Sequence, residues 1–448
     1  MRLLITVLLL KAHIIFAQEI QKNIFGFATS NTFTYCNVAD TAFIDKASKI
    51  NPQVLRFPGG AVGNFYHFGK NGYGFDYNEI DKYHNGKFPN RARGLERSRQ
   101  KKKHHHDYID DFIVLAKRTN AKAVLVANPF VGHDEDIILM IQKLYRNNIE
   151  VVGVELGSEL SNRSYFLKGY TIDDYIVFAE RCSRNIKKIF PEIKTAVVAA
   201  PLGKRKGHRH NIWNNRLALL NFYDVIIIHS YAKVVKGKAL DGQMVSEEVE
   251  GKNKIEEFEI FKDRALNYLT KEYPAEVQNY FSIYNKPIWV TEWNLQISKT
   301  TGNTLFQSLF VVQYLLEVLS SPKLSSIELT TYHNLGGRDI AGSIFRNNKD
   351  NIETQSTYYP MIMIAKIFED EIVRIEKEKD EEVFLFKCYD KYNKQVLNYR
   401  LDWALHQFVC TYNISGSLGT SMVYKSENLF DKANHLGILD FETHKLLE

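Results

Sequence analysis

Cysteine and proline are scarce in this chain of 448 residues, which holds four of the first and ten of the second. The cysteines, Cys36, Cys182, Cys388 and Cys410, lie far apart and lack metal-ligand spacing. That excludes both a cysteine-based metal finger and a disulfide-dense scaffold. Cys388 and Cys410 form the one candidate disulfide pair, and free buried thiols are the other reading. No stretch beyond the N-terminus is apolar for long enough to cross a bilayer, so no stable membrane insertion is expected. Internal repeats are absent, and no linker is rich in proline or glycine, so any small second domain should pack on a larger one. The net charge is only +6, which by itself does not argue for a polyanion binder.

What is present begins with a segment that reads as a secretory signal peptide. Arg2 supplies the positive end, Leu3 to Leu10 is apolar, and a break follows near Ala17-Gln18. Lys11 interrupts the pattern, and an N-terminal strand or tail is the competing reading. Removal of residues 1–17 would leave +4 and a protein that is secreted or periplasmic. Hydrophobic residues at 45 % and charged residues at 25 % exclude a disordered chain. The 25 Tyr and 28 Phe suit either core packing or stacking on sugar rings.

Eight short apolar runs read as buried parallel strands: Phe25–Thr29, Val54–Phe57, Ala123–Ala127, Val151–Leu156, Thr195–Ala199, Val225–His229, Ile288–Thr291 and Ile327–Thr331. Amphipathic segments fall between them. Asp107–Arg118, for example, repeats Ile109, Phe112, Ile113 and Ala116 on one face. Eight such units predict a closed (β/α)₈ TIM barrel over 18–370. From 371 to 448 the pattern turns to short alternating strands, as in Val383–Lys387 and Gln407–Tyr412, which predicts a small antiparallel, β-sandwich-like accessory domain.

Glu159 follows the fourth predicted strand and Glu292 ends the seventh. Side chains at the C-terminal ends of barrel strands line the active site, and the fourth and seventh strands are nearly opposite. Two carboxylates facing each other there are the minimum machinery for cutting a glycosidic bond. Glu155 is a rival carboxylate on the same segment, with a tie to an Arg or Lys as its alternative role.

The motifs around these residues resemble the clan A glycoside hydrolases. Val54-Leu55-Arg56-Phe57-Pro58-Gly59-Gly60 with Asn64-Phe65-Tyr66 resembles the second strand of α-L-arabinofuranosidases and of heparanase-like β-glucuronidases. Gly153-Val154-Glu155-Leu156-Gly157-Ser158-Glu159 is similar to their acid/base segment, and Ile288-Trp289-Val290-Thr291-Glu292-Trp293 to their nucleophile strand. The resemblance covers most of the barrel. It implies a retaining double displacement with Glu292 as nucleophile and Glu159 as acid/base. One departure is Ser158, where the clan usually has an Asn that contacts the sugar 2-hydroxyl. A hydroxyl is shorter and offers one donor, which puts the usual substrates in doubt.

Other residues take their roles from position. Arg56 should hold the nucleophile carboxylate ionised, or else serve a structural salt bridge. The resemblance places His229 or Tyr231 on the nucleophile, with a satisfied buried His as the plainer alternative. Asn128, Tyr332, His333 and Asn334 are candidate sugar contacts, and Trp293 is either a stacking platform or a rim filler.

Basic residues crowd the loops that follow the strands. The loop after the second strand carries Lys82, Lys87, Arg91, Arg93, Arg97, Arg99 and Lys101-Lys102-Lys103 before His104-His105-His106. Lys204-Arg205-Lys206 and Arg209 follow the fifth strand, Lys233, Lys236 and Lys238 the sixth, and Arg338 the eighth. Four such loops would share the catalytic face and favour a uronate- or sulfate-bearing polysaccharide or oligosaccharide, unless they are simply a solvated rim. The three histidines lack the acidic or cysteine partners of a metal site, so no metal or cofactor is expected. Nucleic acid is not an expected partner. The leading reading is therefore a retaining glycosidase of polysaccharide degradation. The alternative is a non-catalytic glycan-binding protein on the same fold.

Overall fold

The computed structural model describes residues 20–448 except 204, 206, 241–243, 248, 250, 338–341, 349–350, 371, 415–416, 433–439 and 445–448. The expected signal peptide lies outside the described residues. Eight parallel strands close into a barrel: β1 (Gly26–Ala28), β2 (Val54–Phe57), β3 (Lys122–Val126), β4 (Val151–Glu155), β5 (Lys194–Val198), β6 (Val225–Ala232), β7 (Ile288–Leu295) and β8 (Ile327–Tyr332). Each predicted run is a barrel strand, in the predicted order. The runs are apolar because both faces are covered, by the barrel interior and by the ring of helices. β7 is buried at every position. Gly153 on β4 makes room for the buried Trp289 of β7, since an added Cβ there would lie 2.3 Å from the indole.

β7 carries the one irregularity that matters for the site. On the β6 side Ile228 pairs with Val290, but His229 pairs with Glu292. On the β8 side Thr330 pairs with Val290 and Tyr332 with Trp293. Both neighbours therefore meet one extra residue at Thr291–Glu292. A bulge of this kind re-aims the side chain at which it occurs.

The chain then forms a six-stranded antiparallel sheet: β9 (Arg374–Asp380), β10 (Val383–Tyr389), β11 (Gln395–Asp402), β12 (Gln407–Ile414), β13 (Ser417–Lys425) and β14 (Asp440–His444). Along β10 every second residue is buried, so Phe384, Phe386 and Cys388 share the inner face. That face meets barrel helices rather than a second sheet. Tyr399 donates to the Met363 carbonyl at 2.8 Å, and the Trp403 indole donates to Gln313 at 2.7 Å. Where the sequence suggested a sandwich-like form, the described residues of this domain form one six-stranded sheet backed by helices. All four cysteines are buried and free. Cys388 pairs in register with Leu397, and Cys410 with Tyr399, so β11 separates the candidate disulfide partners. No helix among the described residues is long and apolar enough to cross a membrane.

Candidate active site

The ends of β2, β4, β6 and β7 bring Arg56, Glu155, Glu159, His229, Tyr231 and Glu292 together. Arg56 is fully buried. Its Nε and Nη2 donate to the two oxygens of Glu155 at 2.6 and 2.7 Å, and its Nη1 donates to Glu292 Oε1 at 2.8 Å. Both oxygens of Glu155 are thereby taken up by Arg56, the tie to an arginine that was its alternative role. The Tyr231 hydroxyl donates to Glu292 Oε2 at 2.7 Å, so both oxygens of Glu292 are held. His229 and Tyr231 alternate to the same side of β6, while Ser230 points away to Tyr268.

The environment of Glu292 favours its charged form. Burial acts to raise its pKa, but His229, His333 and Arg56 act electrostatically against that, and the Tyr231 hydrogen bond adds to them. The balance holds the carboxyl well below the usual range. Burial, followed by the charge of Glu292, pushes the Tyr231 hydroxyl far upward, so it stays protonated as a donor. Burial lowers His333; Glu292 opposes this, and Arg91 and Arg56 reinforce it.

Glu159 is held differently. It lies beyond the end of β4, in a turn where Gly157 has φ 84° and Glu159 itself has φ 51°. Gly157 must be glycine there, because a Cβ would also lie 2.5 Å from Leu160. A left-handed glutamate costs about 1–2 kcal/mol, and side-chain contacts hold it. Asn64 clamps the preceding residue: Ser158 N donates to its Oδ1 and its Nδ2 donates to the Ser158 carbonyl, both at 2.7 Å. Glu159 Oε1 lies 2.9 Å from His229 Nδ1, and Oε2 accepts from Asn162 at 2.7 Å. The Glu159 side chain remains 45 % exposed against 7 % for Glu292. One carboxylate is thus nearly buried, and the other is half open.

Carboxylate oxygens of Glu159 and Glu292 and a nitrogen of His229 all lie within 4.8 Å of one another. Among the described residues this is the one trio spaced to hold a metal ion. Arg56 against Glu292 already places a permanent cation there, which opposes a second. His106, from the triple histidine, instead pairs with Asp111 at 2.9 Å.

The carboxylates open into a cavity of about 720 Å³. Of the residues predicted to contact sugar, Tyr231 and Asn334 line it, with His333 beside them. Ser158, Asn128, Trp293 and Tyr332 do not, and those four assignments are corrected. Ser158 is buried, with its hydroxyl accepting from Arg56 at 3.3 Å. Asn128 donates to Glu79 at 3.1 Å and caps its own loop through Phe130 N at 2.8 Å. Trp293 follows Glu292 on the strand and so faces outward, stacked 4.0 Å from Tyr314. Tyr332 is buried against Trp293 and Phe27. Arg56 and His229 act on the carboxylates rather than lining the cavity.

The basic rim is narrower than the sequence suggested. Arg93 pairs with Asp81 at 3.0 Å and Arg99 with Glu96 at 2.6 Å. Lys102 donates to the Tyr35 carbonyl at 2.8 Å. Lys204, Lys206 and Arg338 fall outside the described residues, as does the Lys238 side chain. Lys87 and Arg91 line the cavity itself, and among the described residues neither pairs with a carboxylate. Asn162, Ser30, Asn31 and Gln296 also line it and were missed from sequence. They sit in loops with no periodicity to mark them.

No family model matches the chain, and no curated protein does either. Solved structures do. The arabinose complex of the α-L-arabinofuranosidase from Thermotoga maritima superposes with a TM-score of 0.58 at 13 % identity, covering 96 % of this chain and 93 % of that one. A family 51 α-L-arabinofuranosidase from Bifidobacterium longum gives 0.60 at 9 % identity, covering 96 % and 92 %. The GH51 arabinofuranosidase from Xanthomonas axonopodis pv. citri gives 0.60 at 10 % identity over the same shares. The likeness is one of fold: a TIM barrel followed by a β-domain.

Proposed function

We propose that this protein is a retaining glycoside hydrolase that cleaves an anionic polysaccharide. The observation that carries the reading is the pair Glu159 and Glu292, which line one cavity and each bring one carboxylate oxygen within 4.8 Å of the other's. Retaining enzymes hold their carboxyls ~5–5.5 Å apart, whereas inverting ones leave a wider gap for water. The arabinofuranosidase activity of the fold neighbours is consistent with O-glycosyl hydrolysis.

In the first step a Glu292 oxygen bonds to the anomeric carbon as the glycosidic C–O bond breaks. Glu159 gives its proton to the departing oxygen, which leaves as an alcohol. In the second step Glu159 takes a proton from water, whose oxygen bonds to the anomeric carbon and releases Glu292. The held, ionised state of Glu292 suits attack, and the exposure of Glu159 suits contact with leaving group and water.

Lys87 and Arg91 support a uronate- or sulfate-bearing substrate, since unpaired cations in a cavity attract an oxyanion and Arg binds it through two N–H groups. The pattern of Arg2 and Leu3–Leu10 supports export. The test is hydrolysis of a panel of uronic-acid and sulfated polysaccharides beside neutral arabinans, by wild type and by Glu292→Gln. Release of reducing ends from an acidic polymer by wild type alone is expected. Undiminished turnover by Glu292→Gln overturns the assignment, and glycan binding with no product from either supports the non-catalytic alternative.

A further inference from the structure

The chain just past Glu159 forms a four-residue helix, Arg163–Phe166, and its Ser164 faces the catalytic cavity. Phe166, on the same helix, lines a second, smaller cavity of about 110 Å³ with Leu160, Tyr170, Ile172 and Trp213. Phe166 is 49 % exposed. The Arg209 guanidinium lies 5.2 Å from the Phe166 ring centroid and donates to the Ser161 carbonyl. Burial lowers the pKa of Arg209, and the nearby charge of Arg163 lowers it further. Among the described residues neither arginine pairs with a carboxylate. Two neighbouring cations with no counter-charge repel each other, and a bound anion relieves that.

These groups adjoin the segment that carries Glu159: Arg209 holds the carbonyl of Ser161, two residues on, and Ser164 lines the catalytic cavity with Glu159. Glu159 protonates the departing oxygen, so the leaving sugar lies on its side of the cavity. We infer that Arg163, Phe166 and Arg209 form a subsite for an anionic sugar on the leaving side of the cleaved bond. The sugar's apolar face rests on Phe166, and its carboxylate or sulfate pairs with the two guanidiniums. This rests on the glycosidase reading and deepens it. Lys87 and Arg91, on the loop after β2, line the catalytic cavity itself, in company with Ser164 of the Arg163–Phe166 helix, so an acidic substrate would meet cations there as well as at the subsite.

The test uses matched disaccharides that share one uronic glycone and carry either a hexose or its uronic acid on the leaving side. Wild type should show the higher kcat/KM for the acidic leaving sugar. Arg163→Gln and Arg209→Gln should each lower that preference severalfold, with a combined loss of about tenfold, or 1.4 kcal/mol. Raised salt should erode the preference in wild type. The Arg163 side chain makes no hydrogen bond among the described residues, so its variant separates charge from loop positioning. Equal losses on both disaccharides, or no preference in wild type, overturn the subsite while leaving the glycosidase reading intact. Failure of wild type to cleave either disaccharide, with no binding of either by Glu292→Gln, overturns both.

Discussion

Arg56 bridges two buried carboxylates, with Nη1 2.8 Å from Glu292 and Nε 2.6 Å from Glu155. One fixed cation thus serves the proposed nucleophile and a second, fully buried carboxylate. Breaking a buried ion pair by removing one partner costs about 3–5 kcal/mol, because the other charge stays buried and uncompensated. Glu155→Gln should lower stability to chemical denaturation by that order. A loss under about 1 kcal/mol would show that Arg56 is adequately balanced by Glu292 alone.

Tyr231 should govern the acid limb of the activity profile. Its hydroxyl helps to keep Glu292 ionised, and in the proposed mechanism that carboxylate must be ionised to attack. Activity therefore falls as pH drops through the Glu292 pKa. Tyr231→Phe removes one stabilising hydrogen bond and should shift that limb to higher pH, with kcat down about 10- to 100-fold. An acid limb that stays in place would contradict this.

His229 links both glutamates, and its titration should be visible in stability. Burial lowers its pKa, but the charge of Glu292 and the hydrogen bond to Glu159 outweigh it, and the folded value is raised. A group raised in this way contributes stability that is complete below its unfolded pKa of about 6.5 and is lost as pH climbs through the folded value. The melting temperature of wild type should exceed that of His229→Gln most at about pH 5, with the gap closing toward higher pH. A gap that widens with pH would reverse the assignment.

The barrel was legible because buried parallel strands are uninterrupted apolar runs, and all eight were marked this way. Glu159 and Glu292 were legible as carboxylates placed at strand ends. The bulge at Thr291–Glu292 was not, since it shows only in the register with both neighbours. Trp293 and Tyr332 look like sugar platforms by residue type, yet they face the helices. Alternation from Glu292 was enough to assign Trp293 to the outer face. Asn64 had no visible role, because its partner Ser158 is 94 residues away. Charge alone did not separate Lys87 and Arg91, which face the cavity, from Arg93, which pairs with Asp81 on the preceding helix, and Arg99, which pairs with Glu96 one turn back.

Glu159→Ala should separate the two half-reactions. On a substrate with a poor leaving group the loss should be about 10²- to 10⁴-fold, the usual contribution of a general acid. On an activated aryl glycoside the first step needs no acid, so the glycosyl–Glu292 ester should accumulate, and added azide should release it as a glycosyl azide of retained configuration. Absence of azide rescue would remove Glu159 from the acid/base role.

The central claim, that Glu292 forms a covalent bond to the sugar, is tested most directly by trapping it. An activated 2-deoxy-2-fluoro glycoside of the cleaved uronic sugar slows release of the ester, and peptide mass analysis locates the label. The account predicts one sugar per chain, on Glu292. A label on Glu159 or Glu155, or turnover of a good substrate with no trapped ester, would contradict it.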